Sequence, residues 1–217
     1  PAAAQASLRA QLLRLGLLEP AAEAGPAPGM VEGLGRWLRW TDAIPLAAAL
    51  QPVTGLRPQP ADAAAWTDEL ARVRTNLERA IRSATAASQA ETDFPPWRRR
   101  HTAVQQAMET AVAALRGQLR TALALHSAEQ ARLAALDAVI SDALTHREEA
   151  LLALLPAKLE RHFERLRDAA GPDPRQLAWL ATYRQDLQQL LQAELELRLQ
   201  PALGLLAALR DTDLTPA

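Results

Sequence analysis

Four histidines, His101, His126, His146 and His162, are the first side chains to weigh for acid–base or metal chemistry in this sequence of 217 residues. His146 and Glu149 stand three apart, close to one helical turn, and Glu160, His162 and Glu164 crowd together. A di-iron bundle requires two Glu-x-x-His motifs and a glutamate from each of two further helices. No Glu-x-x-His occurs anywhere in the chain. Glu160 and Glu164 share a helix face from which His162 points away. The absence of cysteine excludes thiolate nucleophiles, disulfides, iron–sulfur clusters and Cys-type zinc sites. There is no Gly-x-Ser-x-Gly, and Gly29, Gly33 and Gly35 have neither a preceding strand nor a following lysine. These patterns predict a protein that is no enzyme, with no catalytic residue, no metal and no cofactor.

Arginine supplies the sharper signal. Trp97-Arg98-Arg99-Arg100-His101 falls at the start of a predicted helix, where each cation opposes the helix dipole by up to ~1 kcal/mol. A compensating anion is therefore expected, either a neighbour such as Asp93 or a group from outside. From Trp97 to Arg120 five arginines, including Arg116 and Arg120, accompany one acid, Glu109, whereas residues 127–217 carry ten basic and fourteen acidic groups. The expectation is that these opposite signs meet within the chain or across a partner interface. Phosphate, as in nucleic acid, is the alternative. Arg98, Arg99, Arg100, His101, Arg116 and Arg120 are thus the candidate contacts. A second basic cluster, Lys158, Arg161, Arg165 and Arg167, is interleaved with Glu160, Glu164 and Asp168, and its place near a helix C-terminus suits the dipole. Arg147 interrupts an apolar stripe and is expected to snorkel or pair. Trp37 and Trp40, three apart, read as core anchors. Lys158 is the single lysine, an excess of arginine that GC-rich coding explains without nucleic-acid binding.

The elements that must position these groups are helices. Residues 1–60 read as an irregular region of short pieces. It begins with a leucine stripe at Leu8, Leu12, Leu15 and Leu18, followed by the linker Glu19–Gly29, short helices at Gly29–Trp40 and Thr41–Leu50, and a Pro-rich loop to Pro60. From Ala61 to Ala217 the pattern is an antiparallel bundle of about four long helices, with the short N-terminal helices packed on it. Asp62 can cap the first, which runs to about Ser88 with Trp66, Leu70, Val73, Leu77 and Ile81 on one face. The second follows Pro96 and carries Val104, Met108, Val112, Leu115, Leu119 and Leu123. Ser127 and Gln130 form a capping box for the third. Its stripe from Leu133 to Leu166 repeats about every 3.67 residues, which predicts a straight or slightly right-handed bundle. That helix would run to Asp168, kinked at Pro156, and would reach about 60 Å. A globule of this length is nearer ~44 Å across, so the bundle should be elongated. After a reversal at Ala169–Pro174, the last helix runs to Arg210 with a kink at Pro201. In it Leu195, Leu197 and Leu199 alternate with charges, yet Leu, Glu and Gln favour a helix buried on more than one face. Glu194 and Arg198 suit an i,i+4 pair.

Composition agrees with an all-α, cytosolic chain. Hydrophobic residues make up 49%, aromatics 4%, and 24 basic against 25 acidic residues leave a charge of −1, which excludes a disordered acidic tail or a histone-like polycation. No apolar run approaches the ~18 residues of a membrane span, and the start does not read as a secretory signal.

Four stretches, Trp37–Leu50, Trp97–Arg120, Leu133–Arg167 and Leu190–Arg210, carry a resemblance through WTDAI, the RRR…QQAME block, HFERLR and ELELRLQP in that order. In these the chain resembles the proteobacterial family whose members include the ZorF component of type III Zorya anti-phage systems. The resemblance implies an accessory cytosolic protein encoded beside a proton-driven, MotA/MotB-like membrane motor (ZorA and ZorB) and a soluble partner, ZorG. It carries over no catalytic residue. The function expected is an adaptor or regulator engaging ZorG, the motor or nucleic acid. The rival expectation is a nucleic-acid-binding effector using Arg98, Arg99 and Arg100. A membrane-surface bundle is disfavoured by the near-neutral charge.

Overall fold

The computed structural model describes residues 2–17, 42–53, 55–57, 59–86, 91–171 and 178–213. Among them are seven helices and no strand: α1 (Ala2–Arg14), α2 (Ala43–Ala49), α3 (Ala63–Thr85), α4 (Phe94–His126), α5 (Ala128–Leu152), α6 (Leu155–Ala170) and α7 (Ala178–Asp213). The all-α class follows. The linker Glu19–Gly29, the expected short helix Gly29–Trp40 with Trp37 and Trp40, and the end of the reversal at Pro172–Pro174 lie outside the described residues, as do the side chains of His146, Arg147 and Glu149.

Local chemistry sets most helix ends. The Asp62 carboxylate accepts the amides of Ala64 at 2.9 Å and Ala65 at 3.0 Å, capping α3. Pro95 and Pro96 fall in the first turn of α4, where a missing N–H costs nothing. Ser127 Oγ accepts the Gln130 amide at 3.2 Å, so half of the capping box forms. The reciprocal half does not: the Gln130 carboxamide lies inside and donates to the Ala208 carbonyl at 2.7 Å. The expected continuous helix to Asp168 is also corrected, because Ala153 and Leu154 form a turn and Pro156 opens α6 instead of kinking one long helix. The proline ring cannot follow a helical turn, but it fits a first one. At the other end Gly171, with φ +76°, stops α6.

The described residues fall into two compact units. The first gathers residues 1–20, 71–112 and 152–200, and the second gathers 21–70, 113–151 and 201–217. Each therefore takes chain from both sides of residue 60, and α3, α4 and α7 contribute a segment to both. In the first unit Arg74 meets Glu196 at 2.6 Å, while Phe163 meets both Trp179 and Tyr183. Trp97 meets Tyr183, and Gln105 meets Glu194, so α4 runs parallel to α7. The α7 segment is central: Leu187, Leu190, Leu191, Leu195 and Leu199 are all buried, the burial around several faces expected for this helix. Leu8 and Leu12 of α1 pack on this core, and Leu15 and Leu17 complete it. In the second unit Leu70, Leu115, Leu119, Leu123, Ala134, Leu205 and Leu209 are buried.

Candidate functional site

The arginine-rich start of α4 is built on Trp97. Its indole is fully buried, donates Nε1–H to the Glu91 carbonyl at 3.1 Å, and stands edge-on to Tyr183 at 5.6 Å. One turn on, Arg100 lies over the indole ring at 5.2 Å and grips both oxygens of Glu91. That hydrogen bond holds the Glu91 carboxyl below its usual range; burial opposes the shift, and the charges of Arg100 and Arg99 add to it. The compensating anion is thus Glu91, where the sequence pointed to Asp93. Arg98 and Arg99 are exposed on the solvent side of the same turn.

The remaining candidates separate from these two. His101 is 1% exposed, and neither of its ring nitrogens has a hydrogen-bond partner. Burial drives its pKa down to about 4, so the imidazole is neutral at pH 7 and offers nothing to an external anion. In the second unit Arg116 and Arg120 clamp Asp137 from one turn apart, at 2.8 and 2.6 Å. Arg120 also reaches the Asp137 carbonyl at 3.3 Å. Asp137→Ala strands both guanidinium groups and is expected to lower stability by about 2 kcal/mol, seen as a lower urea midpoint, with Arg116→Ala costing about half as much.

The second basic cluster also divides. Arg161 is exposed, and Arg167 pairs loosely with Asp168 at 3.4 Å. Lys158 and Arg165 instead donate to the carbonyls of Leu17 and Leu15, which lie in the turn that follows α1. Gly16 makes that approach possible. It adopts φ +65°, and a Cβ there would lie 2.9 Å from Arg165 Nη1.

One polar assembly escaped sequence reasoning. Asp186, 5% exposed on α7, accepts His162 Nε2–H at 2.9 Å and Arg14 at 2.8 Å. Arg165 Nη2 points at His162 Nδ1, 3.2 Å away. A guanidinium only donates, so Nδ1 is the acceptor and the proton sits on Nε2. The arrangement is a histidine held between a carboxylate and an arginine, with both ring nitrogens engaged and neither left for a nucleophile. A signal for it exists in the sequence, since Asp186 interrupts the run Tyr183, Leu187, Leu190. Similarly, His101 lies four after Trp97 and three before Val104, on the apolar stripe of α4. A second internal pair, Glu194 with Arg198, forms at 2.8 Å as the spacing predicts, and Glu194 also accepts Gln105.

Elsewhere in the first unit an open groove of about 520 Å³ runs between the end of α3 and the start of α7, lined by Arg82, Thr85, Arg184, Gln185 and Gln188. Arg82 leans toward Glu78 at 3.9 Å. Among the described residues, no group of three or more His, Cys, Asp or Glu is placed to hold a metal. None of the described helices is long and apolar enough to cross a membrane.

These features define an all-helical protein with internally neutralised charge and a small exposed arginine step. The chain belongs to the family described as "Protein of unknown function (DUF3348)", which matches residues 4–211. No curated protein and no solved structure matches it.

Proposed function

We propose that this protein acts by docking, as a non-enzymatic cytosolic accessory component of a Zorya-type, motor-coupled anti-phage system, and that Arg98 and Arg99 form part of the contact with a protein partner. The observation that carries the docking surface is the division of the arginines. Arg100, Arg116 and Arg120 are spent on Glu91 and Asp137, while Arg98 and Arg99 stay exposed at a helix N-terminus. They fall in the second turn of α4, beyond the reach of the helix dipole, where a carboxylate pair on a partner can engage both. The system itself rests on the resemblance in WTDAI, RRR…QQAME, HFERLR and ELELRLQP. A ZorG-like soluble protein or the cytosolic part of a ZorA/ZorB-like motor is the partner this reading names.

The rival is direct binding of DNA. Two phosphate contacts give a salt slope of only about −1.8, or roughly tenfold in affinity between 50 and 200 mM salt. That is a weak footprint for a DNA effector, so the protein partner is preferred. The double variant Arg98→Glu/Arg99→Glu is expected to abolish co-purification with the ZorG-like protein or the motor and to remove phage protection, with the fold intact by circular dichroism. Full protection and unchanged complexes in this variant overturn the docking surface. A steep, salt-sensitive gel shift lost in the same variant moves the assignment to nucleic acid.

A further inference from the structure

We propose that α1 is a pH-sensitive latch, whose polar ties to α6 and α7 hold while His162 is neutral and loosen when it takes up a proton. Two of the bonds that fasten α1 pass through atoms touching this imidazole. Arg14, the last residue of α1, binds Asp186 Oδ1 while His162 Nε2–H binds Oδ2 of the same carboxylate. Arg165 holds the Leu15 carbonyl at 2.6 Å with Nη2, the nitrogen that also faces His162 Nδ1.

Among the described residues the charged and titratable groups around the ring are few. From α1 comes Arg14, from α6 Arg165 with Lys158 one helical turn before His162, and from α7 Asp186 and the Tyr183 ring 6.0 Å away. Protonation turns Nδ1 from acceptor to donor. An N–H then confronts the Arg165 guanidinium, and two positive groups repel at the edge of the buried His162–Asp186 pair. The imidazolium also competes with Arg14 for Asp186. Release of α1 removes Arg14 and frees Arg165 to turn away, which leaves Asp186 to balance the new charge. Undocking and proton uptake therefore favour one another. The apolar contacts of Leu8, Leu12 and Leu15, the Arg14 bond to Gln189 and the Lys158 bond to Leu17 do not touch the imidazole and favour the docked state at either pH, so the proton shifts the opening of α1 alone.

Amide hydrogen exchange at pH 7.5 and 5.5, corrected for intrinsic rates, tests the latch on the full chain. One linked proton makes opening rise by up to about tenfold per pH unit. The amides of residues 9–17 are expected to lose at least tenfold protection at pH 5.5, while those of 188–199 in α7 keep theirs. His162→Gln can donate to Asp186 and accept from Arg165 without titrating, and is expected to show no such step. Arg165→Gln, which alters an exposed residue, is expected to lower α1 protection at both pH values and flatten the step. Unchanged protection in the wild type, an equal step in either variant, or parallel loss in α7 overturns the proposal.

Discussion

Trp97→Ala is expected to remove about 3–5 kcal/mol of stability, the largest loss from any single substitution considered for this protein. The indole is completely buried and is the largest such side chain among the described residues. Truncation leaves a cavity beside Tyr183, strands the Glu91 carbonyl that Nε1–H satisfies, and removes the platform under Arg100. Each of those effects alone is worth a fraction to a few kcal/mol, and they are coupled because Glu91 is both the indole's acceptor and the counterion of Arg100. For a domain with ordinary stability of about 5–15 kcal/mol, the loss takes about a fifth or more of the total. Chemical denaturation measures it directly. Trp97→Phe keeps an aromatic edge against Tyr183 and is expected to fall between the wild type and Trp97→Ala. A cost below 1 kcal/mol for the alanine variant would contradict the packing described here.

The second large effect is a dependence on pH centred on His101. Its pKa is about 4 in the folded protein against an ordinary 6.5. Between those values the unfolded chain binds a proton that the native one refuses, so stability is greatest above pH 6.5 and is lost as pH falls toward 4. The loss amounts to about 3 kcal/mol at the lower end. His101→Leu replaces two unpartnered ring nitrogens with hydrocarbon in a site that is already dry, which removes both the penalty at neutral pH and the acid sensitivity. Denaturation curves at pH 7 and pH 4.5 should therefore diverge, with the leucine variant gaining most at the lower pH. Identical pH dependence in the two proteins would place the acid sensitivity in other groups.

The helices were legible because their signals are local. Asp62 caps within three residues, and apolar spacing in α3 and α4 marks the faces that the core uses. The Glu194–Arg198 pair lies on one turn. What could not be read depended on distance along the chain. Glu91 is the partner of Arg100 because the segment before α4 folds back on the indole, whereas a count along the helix start favours Asp93. The break after Leu152 arises because Pro156 fits an opening turn better than a kink, and the apolar stripe itself runs on across it. Asp186 and His162 stand 24 residues apart on different helices, and Arg14 comes from 172 residues away. No spacing rule links them; only the mark each leaves in an apolar run is visible beforehand. The same holds for His101. Extending the α4 stripe back by two members, to Trp97, places it in the core, yet its chemistry suggested a contact surface.

Lys158 gives the molecule an unusual analytical property. Its ammonium group, the single side-chain amine in 217 residues, is tied to the Leu17 carbonyl at the end of α1. Acylating reagents that seek amines therefore meet one side chain in this sequence, and they meet it already engaged. The speed at which that position is modified becomes a clock for the docking of α1, readable after digestion as one mass increment on the peptide that carries Lys158, separate from the α-amine, and without introducing any label by mutation.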